Sequence, residues 1–276
     1  MQNNSNIKSM KLYNYTDRIY NDLEEIGKNN SDNLDVNDLT NFDQLHYHGT
    51  DALDYAINKI RINSNMTILE IGSGIGGPAR YIANKTGANI VALELQSDQN
   101  KIALDLTQRC GLSKKVEHVC GDFLTYNWQG KKFDAVVSWL TLYHIFERSI
   151  LLEKCFDCLK YNGSFYAEDL FSRKPFNDEE LYTISKEIYG NYLPNLETYK
   201  FEIKKAGLNL IDYQDMSDDW AKFTKDRYCS YIQKKDRHLR VHGKNIYENM
   251  NSFYAFMNNC FSEGKLGGIR ILAKKP

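Results

Sequence analysis

Residues 67–94 read TILEIGSGIGGPARYIANKTGANIVALE, and this stretch decides the fold. Its opening apolar run, from Ile68 to Ile71, is long enough for a buried strand and too short for a core helix. A glycine-rich turn follows, and Pro78 stands in what the pattern predicts as the first turn of a helix. A second apolar run ends in Glu94, about 20 residues past the glycines. Strand, glycine turn, helix, strand and terminal acid together indicate a nucleoside-binding βαβ unit.

The glycines and the acid of this unit each have a physical reason. Because Gly72 and Gly74 lack a Cβ, the backbone can turn sharply there and approach a ligand closely. We expect Gly77 to let the helix pack against the strand, with the free N–H groups of its first turn aimed at the ligand. A carboxylate at Glu94 can accept both hydroxyls of a ribose. The alternative, that the glycines only make a tight strand–helix turn, stays open on these residues alone.

The composition argues against several classes of protein. The formal net charge of the 276 residues is −1, so no basic face points to a nucleic-acid partner. No apolar stretch reaches the length of a membrane span, about 18 residues, and the N-terminus lacks the apolar segment of a secretory signal. Cys155 and Cys158 form a C-x-x-C pair without a second pair at zinc spacing, so we expect buried free thiols and no metal. These features predict a cytoplasmic protein.

Strand and helix patterns alternate at short spacing after the opening unit. A helix with Ser97 as its N-cap is predicted, and further helices over 147–160, 177–190 and 196–206. A turn is predicted at 161–163, where Asn162 can adopt the left-handed conformation. Further strands are predicted at 115–120, 133–138, 164–168, 207–213 and 268–274. Such alternation means a parallel sheet that is covered by helices on both faces. The predicted fold class is therefore α/β: a Rossmann-like, doubly wound, seven-stranded and mostly parallel sheet, with N-terminal helices and a helical insertion before the last strand.

Changes of pattern divide the chain into five segments. The first contains an aromatic helical pattern from Lys11 to Ile26 and a second helix, for which Thr50 is the expected N-cap. In order, the segments are a helical cap (1–60), the nucleoside-binding core (61–175), helices with a sixth strand (176–213), an aromatic helical insertion (214–264) and the final strand (265–276).

From about residue 42 to its end, the sequence resembles the class I S-adenosylmethionine-dependent methyltransferases. ILEIGSGIGG (68–77) is similar to their first motif, VALEL (91–95) to the acidic motif that binds the ribose, and CGDF (120–123) to the motif that meets the adenine. FDQLHYHGTDAL (42–53) resembles the D-Q-x-H-x-G-G-x-E-A segment of enzymes that methylate sarcosine and dimethylglycine. Phosphoethanolamine methyltransferases are similar at a greater distance.

The resemblance implies S-adenosylmethionine as the cofactor and suggests which residues contact it. Glu94 is expected at the ribose, Asp122 at the adenine amino group and Phe123 beside the adenine ring. Trp139 lies just past the end of the fourth strand, where open α/β sheets bind their ligands, so we expect it at the cofactor. The alternative is that Trp139 is a core aromatic. The full set of expected cofactor residues is Glu70, Gly72, Gly74, Gly77, Glu94, Leu95, Asp122, Phe123 and Trp139.

The resemblance also implies transfer of the methyl group to the nitrogen of a small amine or amino acid. His144 matches a histidine that helps a tyrosine handle the amine in phosphoethanolamine methyltransferases, and imidazole suits proton transfer; the alternative is a structural histidine. Leu140 replaces a residue that is often polar or acidic in relatives, so O- or C-methylation of an apolar acceptor stays open. A cofactor-binding module without activity is a further alternative, and a nicotinamide-dependent dehydrogenase a more distant one. The expected acceptor-side residues are Gln44, His46, Tyr143 and His144, with His48 peripheral.

The aromatic insertion is expected to roof the acceptor pocket. Within it, Arg227 has the chemistry to clamp a carboxylate or phosphate bidentately, with a solvated arginine as the alternative. Tyr15 and Tyr20 are candidates for a lid over the site, with ordinary packing of amphipathic tyrosines as the alternative. The aromatic residues of the insertion include Trp220, Phe223, Tyr228, Tyr231, Tyr247, Phe253, Tyr254 and Phe256.

Overall fold

Seven strands in one sheet form the centre of the protein. The structure is a computed structural model that describes residues 15–276. Its strands are β1 (Thr67–Ile71), β2 (Asn89–Glu94), β3 (Val116–Cys120), β4 (Phe133–Trp139), β5 (Leu159–Ser172), β6 (Asn209–Asp215) and β7 (Leu266–Lys274).

Eleven α-helices accompany the strands within residues 15–276. They are α1 (Ile19–Glu25), α2 (Val36–Leu39), α3 (Gly49–Ile60), α4 (Gly77–Thr86), α5 (Ser97–Arg109), α6 (Arg148–Cys158), α7 (Asp178–Glu187), α8 (Leu196–Lys205), α9 (Ser217–Gln233), α10 (Lys235–His242) and α11 (Lys244–Ser262).

The strand order is β3-β2-β1-β4-β5-β7-β6. Strands β1 to β5 run parallel, and β7 runs antiparallel to both of its neighbours, β5 and β6. This confirms the predicted seven-stranded, mostly parallel sheet. The chain moves outward from β1 through β2 to β3 and then returns to β4 on the other side of β1. The carboxyl ends of β1 and β4 therefore flank a crevice of the kind in which open α/β sheets bind ligands.

Helices cover both faces of the sheet, and each face has its own buried cluster. Neighbouring residues of β1 point to opposite faces. Ile68 packs in the cluster that contains Leu53 of α3 and Ile82 of α4. Leu69 packs in the cluster that contains Leu151 of α6. Because both faces are buried there, β1, β2 and β4 are apolar nearly throughout, and loops leave the sheet at their carboxyl ends.

The aromatic insertion, α9 to α11, is anchored on the start of β7. Trp220 of α9 is fully buried and lies directly over Gly268, where a Cβ would come 2.0 Å from Trp220 Cε3. Phe261 of α11 and Leu170 of β5 complete this third cluster. The insertion thus packs against β5 and β7, near the start of β7.

Two of the predicted helix caps are wrong. Thr50 lies inside α3, whose N-cap is His48 in a left-handed conformation, φ 58°. Ser97 is the first helical residue of α5, and Gln96 is its N-cap. Contacts outside the helices accompany both positions: the His48 side chain pairs with the distant Asp219, and the Gln96 N–H donates to Glu94 at the end of β2.

Other boundaries differ from the prediction by a few residues. The turn predicted at 161–163 lies within β5, and Asn162 takes the left-handed conformation expected of it, φ 58°. A 3₁₀ turn, Thr16–Arg18, leads into α1, so the N-terminal helix is shorter than its pattern suggests. The first part of that pattern, through residue 14, lies outside the described residues.

The cysteines of the C-x-x-C pair are buried free thiols, as predicted for Cys155 and Cys158. Among residues 15–276, no group of three or more His, Cys, Asp or Glu side chains is arranged to hold a metal ion. In the same part of the chain, every helix is too short or too polar to span a bilayer.

Candidate active site

The glycine turn after β1 opens a cleft at the carboxyl edge of the sheet. Gly72 and Gly74 have left-handed backbones, φ 72° and 55°, which suit glycine best. The N–H groups of Gly72 and Ser73 both donate to the carbonyl of Leu93, at 2.9 and 3.0 Å. These bonds wrap the turn around the end of β2 and bring it beside Glu94. We call this opening the cofactor cleft.

Glu94 is held by the turn and by the start of α5. Its Oε2 accepts the N–H of Gly74 and its Oε1 accepts the N–H of Gln96, both at 2.8 Å. Burial raises the pKa of Glu94, while these two backbone donors favour its ionised form. A carboxylate has about four acceptor positions, and these two donors do not fill them, so Glu94 can still accept a ribose hydroxyl.

Most of the predicted cofactor residues come together at this cleft. It is lined by Glu70, Gly72, Gly74, Glu94, Leu95, Asp122, Phe123 and Trp139. Gly77 lies outside the lining. A Cβ on Gly77 would come 2.3 Å from the carbonyl oxygen of Asp43, so this glycine makes room for the segment before α3.

Three buried polar atoms at the cleft have no hydrogen-bond partner within the described chain. They are Glu70 Oε2, Ser73 Oγ and Trp139 Nε1. Burial raises the pKa of Glu70 to about 8. Unpaired buried donors and acceptors are costly, so the presence of these three atoms at the cleft fits a polar ligand with both donor and acceptor groups. An amino-acid group joined to a nucleoside has that chemistry. Trp139 lines the cleft and also packs in the core near Tyr166, so both interpretations of this residue apply.

The loop after β4 forms the opposite wall of the cleft. Leu140 is left-handed, φ 51°, and its N–H donates to the carbonyl of Glu168 at 2.7 Å. A branched apolar residue in this conformation is strained, and such strain is concentrated at functional sites. Thr141 follows and packs against Gly72. A 3₁₀ turn, Leu142–His144, then brings His144 to the lining.

His144 has one ring nitrogen engaged within the protein. Its Nδ1 lies 3.0 Å from the carbonyl oxygen of Tyr189. Because a carbonyl can only accept, Nδ1 carries the proton and Nε2 carries the lone pair. Nε2 has no hydrogen bond to any of residues 15–276. Burial lowers the pKa of His144 to about 4, so the imidazole is neutral at neutral pH.

His46 also lines the cleft, but both of its nitrogens face acceptor oxygens of neighbouring residues, and the neutral ring can donate to one of them. Nδ1 lies 3.0 Å from the carbonyl oxygen of Tyr47, and Nε2 lies 2.9 Å from Gln44 Oε1. Gln44 in turn donates to Asp43, which forms a buried ion pair with Arg80 at 3.0 Å. Burial lowers the pKa of His46 to about 4. This chain of contacts fixes the segment 43–47 against α4.

Tyr143 is not brought to the cleft. Its side chain is 5% exposed and packs in the third cluster with Leu170 and Trp220. The 3₁₀ turn is the reason, since it directs successive side chains to different sides. Tyr143 still contacts the ring of His144, with ring centroids 3.9 Å apart.

Two further cavities meet the cofactor cleft at Leu45, which lines all three. The aromatic cavity is lined by residues that include Tyr15, Phe42, Tyr189, Phe253 and Phe256. The arginine cavity is lined by residues that include Gln44, Arg227, Tyr231, Arg237 and Tyr254. The insertion and the N-terminal segment therefore both border the space beside the cofactor cleft.

Arg227 is half-buried between two aromatic rings. Its guanidinium lies 5.6 Å from the ring centroid of Phe223 and 5.1 Å from that of Tyr254. It has no ion pair with any described residue. Its charge contributes, after burial, to the lowered pKa of His46, which places the cation near the acceptor side of the cleft.

The remaining candidate residues differ in whether they border the cleft and its neighbouring cavities. Tyr15 lines the aromatic cavity, whereas the hydroxyl of Tyr20 donates to Asp105 of α5 at 3.0 Å. His48 pairs with Asp219 at the surface and lies outside the lining of the cleft.

Several lining residues were missed by the sequence argument. Asp43 and Leu45 flank Gln44 in the quoted segment, and Ser73 lies inside the glycine motif, so their positions carried a usable signal. Tyr189 lines the neighbouring aromatic cavity and contacts His144 through its backbone carbonyl, so its residue type carried no signal. Leu140, which the sequence argument connected with the acceptor, also lines the cleft. The other lining residues that were not predicted are Ile71, Ile75, Pro78, Leu93, Gln99, Thr141 and Ile145.

Comparison with known families agrees with this geometry. Residues 37–271 match the family model described as mycolic acid cyclopropane synthetase. The chain belongs to this family. Its members are S-adenosylmethionine-dependent methyltransferases, and S-adenosylmethionine is the cofactor of the family.

Two curated proteins are similar to the chain over part of their length. A glycine/sarcosine/dimethylglycine N-methyltransferase of Actinopolyspora halophila is 29% identical over 160 residues, 58% of this chain and 28% of that protein. A sterol methyltransferase-like protein of Botryococcus braunii is 29% identical over 153 residues, 54% of this chain and 39% of that protein. The chain thus spans less than half the length of these curated relatives.

A solved structure has a similar fold. The phosphoethanolamine N-methyltransferase 2 of Haemonchus contortus, in complex with phosphomonomethylethanolamine and S-adenosylhomocysteine, superimposes with a TM-score of 0.79. Sequence identity is 21%, and the match covers 96% of this chain and 59% of that one. At this identity the likeness establishes the fold.

Proposed function

We propose that this protein transfers a methyl group from S-adenosylmethionine to the nitrogen of a small amine or amino acid. The observation that carries the proposal is His144, a neutral imidazole at the cleft whose Nε2 has a lone pair and no partner among residues 15–276. Glu94, Asp122 and the glycine turn would hold the nucleoside, and Glu70, Ser73 and Trp139 offer polar atoms to the amino-acid end.

The acceptor sets the chemical task of the site. When bound, the cofactor supplies an activated methyl group. The protein has to present a nucleophile, and an aliphatic amine with a pKa of about 10 is mostly protonated at neutral pH. His144 Nε2 can accept a hydrogen bond from an N–H of the amine, and a neutral imidazole in this position favours binding of the neutral amine, whose lone pair then attacks the methyl group. Orientation beside the cofactor supplies much of the remaining rate enhancement.

An acidic group on the acceptor has a partner in Arg227. This guanidinium has no carboxylate partner among the described residues, and two aromatic rings hold it in place. Arginine binds carboxylates and phosphates through two parallel hydrogen bonds. The acceptor class that fits is therefore an amine with a carboxylate or phosphate, of the glycine/sarcosine/dimethylglycine or phosphoethanolamine type. The relatives with N-methyltransferase names support this class.

A second candidate is methylation of a carbon or oxygen atom in an apolar acceptor. Leu45, Leu140 and Ile145 line the cleft, and apolar walls of this kind suit such an acceptor. The sterol methyltransferase-like relative supports the same class. This candidate leaves the unpartnered Arg227 and the lone pair of His144 without a task, so we rank it second.

A turnover assay against an acceptor panel tests the proposal. The panel contains glycine, sarcosine, dimethylglycine, phosphoethanolamine and ethanolamine, together with a quinol and a sterol. We expect S-adenosylhomocysteine to form with at least one amine that bears an acidic group. Turnover confined to the quinol or the sterol would remove the N-methyl assignment, and tight cofactor binding without any turnover would favour a binding module.

A further inference from the structure

The connection between α7 and α8 holds His144 in a single orientation. We propose that Asn191, together with the backbone carbonyl of Tyr189, is a positioning clamp that keeps the proton on His144 Nδ1 and the lone pair on Nε2. The inference rests on the proposed function, because it gives His144 its task at the amine. Asn191 acts through other groups and is a positioning residue.

Asn191 connects to both residues of the Tyr143–His144 pair. Its Nδ2 donates to the carbonyl of His144 at 2.9 Å. Its backbone N–H donates to the carbonyl of Tyr143 at 3.0 Å, and the N–H of Tyr192 donates to the same oxygen at 3.0 Å. Three hydrogen bonds from two neighbouring residues therefore tie the α7–α8 connection to the acceptor loop.

The carbonyl of Tyr189 sets the tautomer of the imidazole. Tyr189 has a left-handed backbone, φ 51°, which is unfavourable for a large side chain. The next residue, Gly190, lies so close to α7 that a Cβ would come 2.6 Å from Ile184 Cγ2. The packed connection thus maintains a strained turn, and that turn aims the carbonyl at His144 Nδ1, 3.0 Å away.

The other side of the Tyr143–His144 pair is fixed by a buried charge network. Asp169 accepts the N–H of Tyr143 at 3.0 Å. The second oxygen of Asp169 accepts from Arg148 at 3.2 Å and from Tyr199 at 2.9 Å, and all three side chains are almost fully buried. The backbone of the pair is therefore held on both sides, and the orientation of the His144 ring depends on the α7–α8 connection.

Nitrogen NMR of the histidines tests the clamp without using activity. The full chain has six histidines, and loss of one signal set in His144→Gln assigns the resonances of His144. We compare wild type with two variants. Asn191→Leu removes the N–H donor to the His144 carbonyl. Asn191→Asp keeps the size of the side chain but places a carboxylate oxygen, which can only accept, against that carbonyl. Asn195→Leu is the matched control, because Asn195 caps α8 through the N–H of Thr198.

We expect wild-type His144 to be the Nδ1–H tautomer, and both Asn191 variants to show mixed tautomers with kcat lowered roughly tenfold or more. Affinity for S-adenosylmethionine should stay within about twofold, because Asn191 is not part of the cleft lining. Asn195→Leu should keep the wild-type tautomer although its melting temperature falls. A wild-type tautomer in both Asn191 variants overturns the clamp, as does an equal change in Asn195→Leu. If the tautomer changes while amine turnover does not, the clamp stands and the proposed task of His144 fails.

Discussion

Thr141 occupies the space that a side chain on Gly72 would need, since a Cβ on Gly72 would come 2.2 Å from Thr141 Cγ2. The turn that approaches the cofactor and the loop that faces the acceptor are therefore in direct contact. A change at one wall of the cleft is transmitted to the other.

Gly72→Ala should accordingly damage both walls. The added methyl group meets Thr141, and the left-handed backbone disfavours alanine, so we expect a loss of about 2–4 kcal/mol of stability and much weaker binding of S-adenosylmethionine. Gly111→Ala is the control, because Gly111 has a similar φ of 68° and nothing within 4 Å of a Cβ. Its cost should be about 1 kcal/mol, with unchanged cofactor binding. Thr141→Gly should recover part of the loss; equal effects at the two glycines would contradict the account. Urea unfolding and calorimetric titration measure both quantities.

His144→Gln should lower kcat for an amine acceptor by about a hundredfold. Glutamine keeps polarity at this position and removes the imidazole lone pair that the proposed hydrogen bond to the amine uses. Cofactor affinity should change little. His48→Gln is the matched control, since His48 pairs with Asp219 at the surface, outside the cleft lining. Steady-state kinetics on both variants decides the point, and wild-type turnover by His144→Gln would exclude the proposed role.

Arg227→Met should raise KM for an acceptor that bears a carboxylate or phosphate by roughly tenfold to a hundredfold. KM for an amine without an acidic group should not move, because the guanidinium has nothing to bind there. Lys225→Met on the same helix is the control, since Lys225 is exposed and does not line the cavities that meet the cleft. An unchanged KM for acidic amines in Arg227→Met would place the anion elsewhere.

Glu70 should make the stability of the cofactor-free protein depend on pH. Burial raises the pKa of Glu70 to about 8 in the folded state, from an ordinary value near 4.5. The folded state therefore binds more protons than the unfolded state between these values, and the contribution of Glu70 to stability falls as the pH rises from about 4.5 to 8.

Glu70→Gln removes this titration. The stability of the variant relative to wild type should therefore increase steadily between pH 5 and 8, as measured by urea unfolding at several pH values. Glu117→Gln provides the control, because the Glu117 side chain is 62% exposed. Parallel stability curves for wild type and Glu70→Gln would show that Glu70 is already ionised.

The sequence is sufficient to predict the sheet and the cofactor wall, because both depend on local signals. Alternating apolar runs specify the strands, and the glycines specify the left-handed turn at Gly72 and Gly74. Asn162 takes its left-handed conformation for the same local reason.

The acceptor wall depends on contacts between segments that are distant in the sequence, so local sequence patterns do not predict it. Tyr143 was expected at the amine and lies in the third cluster, because a 3₁₀ turn separates it from the cleft. Tyr189 contributes a backbone carbonyl, for which any residue type would serve. Gly77 makes room for Asp43, a residue more than thirty positions earlier in the chain.

The position of the transferred methyl group tests the central claim most directly. The protein is incubated with S-adenosylmethionine labelled with ¹³C in its methyl group and with a mixture of acidic amines and apolar acceptors, and the products are identified by NMR. We predict that the label appears as an N-methyl carbon on an amine that bears a carboxylate or phosphate, and that His144→Gln loses this signal. Label found only on a carbon or oxygen atom of an apolar acceptor would contradict the account.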